Sequence, residues 1–143
     1  MAAPGGGVVD VVAAVIRDGA GRLLIGRRPA HKRHGGLWEF PGGKVDPGET
    51  LALAVARELE EELALTATWV ASAPVYARQD PGQPFRILFV EAAARGTPVL
   101  MEHEAVAWIP VPPPDAYQLA PSDAAFVAAL HRGEVRLGEV GRG

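Results

Sequence analysis

The sequence predicts a protein of the α/β (α+β) class, with a mixed β-sheet sandwiched between α-helices. Short runs rich in β-branched residues alternate irregularly with two segments of helical periodicity, which favours a mixed sheet flanked by helices. The 143 residues, 48% apolar and 22% charged, suffice for one substantial core. We therefore expect a single domain over residues 8–137, between a flexible N-terminus (1–7) and a flexible tail (138–143).

The first half of the chain predicts three strands. Residues 8–17 are rich in β-branched side chains and predict a strand, residues 18–21 predict a turn, and residues 22–26 predict a second strand that forms a hairpin with the first. Residues 35–43 hold aromatic side chains between glycine pairs. They predict a short strand that leaves into a tight loop.

A helix over residues 50–63 is the clearest element. Thr50 can cap it, and an apolar stripe at helical spacing defines its buried face: Ala52, Val55, Ala56, Leu59 and Leu63. Strands are expected around residues 66–76, 86–92 and 106–109. A last helix over residues 122–130 has Ser122 as its expected cap, and Gly133 follows its end.

Composition narrows the function classes. There is no cysteine, so disulfides, thiolate catalysis and zinc-thiolate sites are excluded, which fits a cytoplasmic protein. No apolar run is long enough to cross a bilayer, and the N-terminus lacks the features of a signal peptide. The net charge of −3 and the short basic run at residues 27–34 do not indicate a nucleic-acid partner. We expect a monomer or a homodimer.

Four glutamates lie close together on the predicted first helix. At about 100° per residue, Glu58, Glu61 and Glu62 fall within an arc of roughly 100°, whereas Glu60 points to the far side. Like charges at this spacing repel one another, and Mg²⁺, which prefers oxygen ligands, would relieve the repulsion. An acidic helix can equally be a solvated face, so the spacing alone leaves both interpretations open.

The loop before this helix adds to the metal hypothesis. Gly42 and Gly43 let backbone carbonyls approach a metal without obstruction from side chains. Glu49 comes just before the helix cap, and Arg57, two turns further on, could reach back to it and hold the loop against the helix. The same residues also fit a capped strand-loop-helix connection without chemistry.

Loop and helix together resemble the signature of the Nudix hydrolases. That signature reads glycine, five residues, glutamate, seven residues, Arg-Glu, an aliphatic residue, any residue, Glu-Glu, any residue, glycine and an aliphatic residue. The matching positions are Gly43, Glu49, Arg57, Glu58, Leu59, Glu61, Glu62 and Leu65. Ala64 replaces the second glycine at the helix end, where a left-handed conformation would cost up to about 1 kcal/mol. The resemblance covers roughly residues 8–130, and residues 24–29 and 36–45 are similar to the MutT branch.

The resemblance implies a Nudix fold and the hydrolysis of a nucleoside triphosphate to the monophosphate and pyrophosphate, with Mg²⁺ or Mn²⁺. Carried over by position, the metal ligands are the Gly42 carbonyl and the side chains of Glu58, Glu61 and Glu62, while Glu49 and Arg57 brace the loop. Glu102 resembles an additional catalytic or metal-binding glutamate of the MutT branch. The general base is then Glu58 or Glu102, and Glu102 can instead be only another ligand or a solvent-facing loop residue.

The substrate-binding candidates lie outside the signature. Arg27 or Arg28 is expected to meet the triphosphate, since a guanidinium can bind phosphate oxygens through two parallel hydrogen bonds. Asp123 resembles the family's base-reading position, where it could accept hydrogen bonds from cytosine or guanine, or it could only help to cap the last helix. Phe40 and Tyr76 either stack on the base or belong to the core. Residues 108–123 look nearer to the branch that hydrolyses CTP than to the branch specific for oxidised dGTP.

Other members of the family supply the competing hypotheses. A non-catalytic domain that binds nucleotides or damaged bases typically lacks signature glutamates, which are all present in this chain. Hydrolases of ADP-ribose or of dinucleoside polyphosphates usually have further motifs, and none is found. An isoprenoid diphosphate isomerase would need a cysteine at its site.

Overall fold

The structure, a computed structural model, describes residues 7–138. The expected flexible termini therefore lie outside the described residues, apart from Gly7 and Gly138. Within the described range the chain forms eight strands and two helices, which are β1 (Val9–Val15), β2 (Leu23–Arg27), β3 (Trp38–Glu39), β4 (Gly42–Lys44), α1 (Leu51–Leu63), β5 (Thr66–Val70), β6 (Tyr76–Arg78), β7 (Phe85–Arg95), β8 (Ala105–Ile109) and α2 (Pro121–His131).

The strands form two sheets. The larger has the order β4-β1-β7-β5, with β6 also paired to β7, and the smaller has the order β3-β2-β8. Strands β1 and β7 run parallel through seven residue pairs, from Val9 opposite Phe85 to Val15 opposite Glu91. All other pairs are antiparallel. The prediction of a mixed sheet is confirmed.

The central strands are buried on both faces, because a helix covers each side of the larger sheet. Alternate side chains of β1 point to opposite faces. Val12 and Ala14 pack in one apolar cluster with Val55 and Leu59 of α1. The intervening side chains of β1 belong to a second cluster, which contains Phe126 of α2. The predicted sandwich of a sheet between helices is therefore confirmed.

The predicted hairpin between the first two strands is wrong. Strand β1 lies between β4 and β7 in the larger sheet, whereas β2 lies between β3 and β8 in the smaller one. Near the turn, a single bridge between Arg17 and Leu23 joins the two segments. Asp18 accepts hydrogen bonds from the amides of Ala20 and Arg22, which fixes the turn. This turn carries the chain from the larger sheet to the smaller one, in which β2 pairs with β3 and β8.

Helix α1 begins and ends with local capping interactions. The Thr50 hydroxyl accepts a hydrogen bond from the Leu53 amide at 3.1 Å, so the predicted cap is confirmed. Ala64 ends the helix in the left-handed conformation, with φ 55° and ψ 33°, and its amide donates to the Glu60 carbonyl. Ala64, which replaces the signature glycine, therefore has the left-handed conformation in which an alanine costs up to about 1 kcal/mol.

Helix α2 starts differently from the prediction. Its N-cap is Ala120, Pro121 occupies the first turn, and the cap has no side-chain hydrogen bond. Ser122 is thus already inside the helix, where its hydroxyl donates to Asp80 instead of capping. Proline has a φ suited to a first helical turn and needs no amide partner, which explains the earlier start. Neither helix is long and apolar enough to span a membrane within residues 7–138.

Candidate active site

Two adjoining cavities open between the larger sheet, α1, α2 and the segment before β8. The acidic cavity has a volume of about 470 Å³ and contains all three glutamates that the sequence predicted on one arc of α1. The apolar cavity has a volume of about 460 Å³ and lies toward α2. Both are lined by the same five residues at their junction, Val11, Arg28, Glu39, Ile87 and Asp123.

The α1 glutamates differ in exposure. Glu58 and Glu62 are buried, and Glu61 is exposed, yet all three line the acidic cavity. Glu60 is exposed and does not line the cavity. The arc predicted from helical spacing is confirmed as geometry. The buried stripe is shifted, since Ala54 is fully buried whereas the predicted Ala52 and Ala56 are half-buried.

Arg57 connects the glutamates of α1 with the loop before the helix. Its Nε and Nη2 atoms donate to the two carboxylate oxygens of Glu49 at 2.7 and 3.0 Å. Its Nη1 atom donates to Glu58 at 3.0 Å and to Glu61 at 3.1 Å. The hydrogen bonds from Arg57 are the main cause that lowers the pKa of Glu49 to about 2. Arg57 therefore holds the loop and also orients two cavity-lining carboxylates.

Two glycines allow strand β4 to approach its neighbours closely. A Cβ on Gly42 would lie 1.9 Å from the Val12 carbonyl oxygen, and a Cβ on Gly43 would lie 2.4 Å from Glu58 Oε2. The Gly42 amide donates to Glu62 Oε1 at 3.2 Å. Glycine at both positions thus provides room for the backbone pairing and for the buried carboxylates of α1.

The two buried carboxylates of α1 conflict electrostatically. Burial, followed by hydrogen bonding and repulsion from Glu58, raises the pKa of Glu62 to about 9, while the Gly42 amide opposes the shift. Two like charges in a buried place remain together only if a proton or a cation compensates one of them. Their oxygen-only donor set is the kind that Mg²⁺ prefers.

Glu58, Glu61 and Glu62, with Gly42, could therefore hold a hard divalent cation. In the part of the chain from residue 7 to residue 138, no three acidic or histidine side chains are already grouped as a metal site. Arg57 is paired with Glu58 and with the exposed Glu61. The carboxylate oxygens of these glutamates and the absence of a side chain at Gly43 fit a divalent cation. The glutamate side chains would have to rotate toward it.

Across the acidic cavity lie Glu102, Lys32 and Arg28, all of which line it. Glu102 is exposed and precedes β8. Of the two arginines proposed for the triphosphate, only Arg28 lines the cavity. Arg27 turns away to Glu104, at 3.1 Å, and its guanidinium lies 5.7 Å from the ring centre of Trp38.

Asp123 is a buried carboxylate at the junction of the two cavities. Burial, and secondarily the charge of Glu39, raises its pKa well above the usual value, whereas the Phe40 amide and the charge of Arg28 lower it. No side chain makes a hydrogen bond at the N-cap of α2, and Asp123 is the acidic residue of the first turn of this helix.

The two aromatic candidates lie in the core. Phe40 is buried and makes edge contacts with Phe89 and Phe126, although it also lines the acidic cavity. Tyr76 packs against the same two rings and does not line either cavity. The placement agrees with the core alternative for both residues, and Phe40 retains contact with the cavity.

Glu39 is the residue that sequence reasoning missed. Its Oε1 atom accepts a hydrogen bond from Arg28 at 2.9 Å, and its Oε2 atom lies 2.9 Å from Nε2 of the buried His103. It lines both cavities. A sequence signal existed, because a glutamate between Trp38 and Phe40 points to the opposite face from two buried aromatic residues.

Comparisons with known proteins agree with this geometry. A model of the NUDIX domain matches residues 7–130. The CTP pyrophosphohydrolase of Escherichia coli strain K12 is 39% identical over 128 residues, which cover 86% of this chain and 91% of that protein. The 8-oxo-dGTP diphosphatase of Haemophilus influenzae is 32% identical over 127 residues, with coverage of 86% and 91%. The solution structure of the E. coli ORF135 protein superimposes with a TM-score of 0.73 at 35% identity, covering 90% of this chain and 91% of that one.

Proposed function

As the chain belongs to the Nudix hydrolase family, we propose that it cleaves a nucleoside triphosphate to the nucleoside monophosphate and pyrophosphate with the help of Mg²⁺, for which Mn²⁺ could substitute. One observation carries the proposal. A single cavity is lined both by the carboxylates of α1 and by the cations Arg28 and Lys32, and the buried Asp123 lines it as well. This arrangement suits a polyphosphate that is held between a metal and basic side chains, with its base toward α2.

We assign the metal to Glu58, Glu61, Glu62 and the carbonyl of Gly42. A divalent cation bound there would offset the charge of the phosphate chain and make water a stronger nucleophile. Glu49 and Arg57 keep the loop and the helix in register through the hydrogen bonds between them. Arg28 and Lys32 neutralise the outer phosphates, which carry the negative charge of the leaving group.

Glu102 is our choice for the general base. Glu58 is already bonded to Arg57 and lies against Glu62, whereas Glu102 lines the cavity from a segment outside α1 and is exposed. Water attacks the phosphorus nearest the nucleoside, its oxygen forms the new P–O bond, and its proton passes to Glu102. The bond to the next phosphate breaks, and its electron pair leaves with pyrophosphate.

The substrate class is drawn from the apolar cavity and the named relatives. Asp123 can accept hydrogen bonds from the exocyclic amine of cytosine or from N–H groups of guanine. The relatives are named for CTP and for 8-oxo-dGTP. We therefore propose CTP, dCTP and their modified forms, or 8-oxo-dGTP, as substrates. Residues 8–137 would be the catalytic domain of a cytoplasmic monomer or homodimer that removes damaged nucleotides and so supports DNA repair.

A substrate panel tests this proposal. Pyrophosphate release is measured with canonical, oxidised and methylated nucleoside triphosphates, with and without Mg²⁺. Glu61→Gln should lower kcat by about a thousandfold, because loss of one preorganised electrostatic group in an active site costs on the order of 10²–10³ in rate. Glu60→Gln is the matched control, since Glu60 is exposed on the same helix and does not line the cavity. Equal activity of the two variants would remove Glu61 from the site.

A further inference from the structure

The segment between β2 and β3, residues 28–37, presents cations to both cavities; we name it the basic loop. Arg28 and Lys32 line the acidic cavity, and Arg28 and Arg33 line the apolar cavity. Residues 30–36 are all exposed. The position of this exposed loop therefore decides whether its cations stand opposite the glutamates of α1.

Hydrogen bonds within the basic loop define its shape. The Lys32 amide donates to the Pro29 carbonyl, and the Leu37 amide donates to the His34 carbonyl. At its base, the amide of Arg28 donates to the Leu37 carbonyl at 2.9 Å, which extends the pairing of β2 with β3. Since these bonds join the loop to itself, they do not determine its distance from the opposite wall of the cavity.

Glu104 joins the basic loop to another part of the fold. Its Oε1 atom accepts a hydrogen bond from the Ala30 amide at 3.0 Å, and its Oε2 atom accepts one from Arg27 Nε at 3.1 Å. Its own amide donates to the Arg27 carbonyl at 2.9 Å. Arg27 is held in turn by its contact with the Trp38 ring. Glu104 thus contacts the loop itself at Ala30 and holds Arg27, the residue just before the loop, through two further hydrogen bonds.

Glu104 lies on the same segment as Glu102, two positions after it. The Met101 amide donates to the Glu62 carbonyl at 3.2 Å, so this segment is itself bound to the end of α1. A continuous connection therefore runs from α1 through residues 101–104 to the basic loop. It ties the basic loop to the helix that carries the glutamates of the acidic cavity.

We infer that Glu104 is a positioning residue that holds the basic loop, and with it Lys32, over the phosphate-binding part of the acidic cavity. The inference rests on the proposed hydrolysis of triphosphates. Glu104 does not line either cavity and does not touch the substrate in this scheme. The ion pair between Glu104 and Arg27 is exposed to solvent, since 37% of the Glu104 side chain and 42% of the Arg27 side chain are accessible. Exposed ion pairs add little to folding stability. Loss of Glu104 should loosen the loop without unfolding the protein.

The test compares Glu104→Ala, Glu104→Gln and Asp18→Ala with the unchanged chain. Asp18 is a matched control, because its carboxylate likewise accepts backbone amides and one arginine Nε, at a turn that lines neither cavity. With CTP and with 8-oxo-dGTP, Glu104→Ala should raise KM by about tenfold and leave kcat within about twofold, the signature of lost uniform binding. Glu104→Gln keeps an oxygen for the Ala30 amide and should recover part of the loss.

Amide hydrogen exchange gives a second readout that needs no activity. The Ala30 amide should lose protection in Glu104→Ala and keep it in Glu104→Gln and Asp18→Ala, whereas the amides of α1 stay unchanged in all of them. A KM that rises equally in Asp18→Ala, or an unchanged KM despite lost protection at Ala30, overturns the positioning role. If the unchanged chain releases no pyrophosphate, the proposed function is rejected instead. The exchange result then still tests whether Glu104 holds the basic loop.

Discussion

The two adjoining cavities have an α1 end, in the acidic cavity, and an α2 end, toward α2. The two ends differ in how their carboxyl groups are buried. At the α1 end, Glu58 and Glu62 lie against each other, and burial together with this neighbour raises the pKa of Glu62 to about 9. At the α2 end, Asp123 is buried alone, and burial is the largest cause of its raised pKa. A pair of adjacent buried carboxylates favours a cation, whereas a single buried carboxyl can be satisfied by a proton or by one ligand base. In the proposed function, this difference separates the metal site from the site that reads the base.

Among the changes that compare the two ends, Glu62→Gln should produce the largest effect, and it tests the α1 end. Activity with Mg²⁺ should fall on the order of 10²–10³-fold, because an electrostatic group of the site is lost. Without metal, the same variant should be more stable than the unchanged chain. A folded pKa raised to about 9 means that stability is fully present below the unfolded value, about 4.3, and is lost as the pH rises toward 9.

The measurement is thermal unfolding in a chelator from pH 4 to pH 9, with Glu60→Gln as control. The advantage of Glu62→Gln over the unchanged chain should widen as the pH rises, and the control should show no such trend. Addition of Mg²⁺ should raise the melting temperature of the unchanged chain more than that of Glu62→Gln, by mass action. A constant gap at all pH values would contradict the account of the α1 end.

Asp123→Ala tests the α2 end and should mainly change the choice of substrate. The ratio of kcat/KM between CTP and 8-oxo-dGTP should shift by about tenfold to a hundredfold, since a good base contact contributes about 1–3 kcal/mol of discrimination. Asp115→Ala is the control, because Asp115 lies before α2 and lines neither cavity. If both variants keep the substrate ranking of the unchanged chain, Asp123 does not read the base.

The α1 end could be predicted from sequence because its determinants are local. The cap at Thr50, the arc of Glu58, Glu61 and Glu62 and the reach of Arg57 to Glu49 all follow from helical spacing within a short segment. Even the left-handed end at Ala64 followed from the position of the missing glycine.

The α2 end depends on how distant segments pack, which spacing cannot supply. Arg27 and Arg28 are neighbours in sequence, but the alternation of β2 sends one to Glu104 and the other to the cavity. The role of Glu39 requires the register of β3 against β2 and the approach of His103. The prediction of a hairpin between the first two strands was wrong for the same reason, since β1 pairs in parallel with β7, about 75 residues away in sequence.

A smaller effect concerns the titration of Asp123. Asp123→Asn removes a carboxyl whose folded pKa is raised, so its stability relative to the unchanged chain should grow as the pH rises above the unfolded value of about 3.9. Unlike at the α1 end, Mg²⁺ should not alter this trend. Thermal unfolding of the two proteins from pH 4 to pH 9, with and without Mg²⁺, measures it. A trend that Mg²⁺ abolishes would place Asp123 in the metal site and dissolve the distinction between the two ends.

The smallest effects compare the ends of the two helices themselves. Ala64 ends α1 at φ 55°, whereas Gly133 follows α2 at φ 77°. A left-handed residue with a Cβ is strained. A Cβ on Gly133 would meet nothing within 4 Å, so backbone strain is the effect that a substitution there would measure. Ala64→Gly should raise the free energy of unfolding by about 1 kcal/mol, and Gly133→Ala should lower it by about the same amount.

Urea denaturation measures both changes in helix-end stability, and kcat should remain unchanged in both variants because neither residue lines a cavity. A drop in kcat for Ala64→Gly alone would mean that the strained end of α1 helps to place Glu62, whose carbonyl accepts the Met101 amide only two residues before that end. The helix end would then belong to the metal site, and the sequence departure at Ala64 would be functional as well as structural.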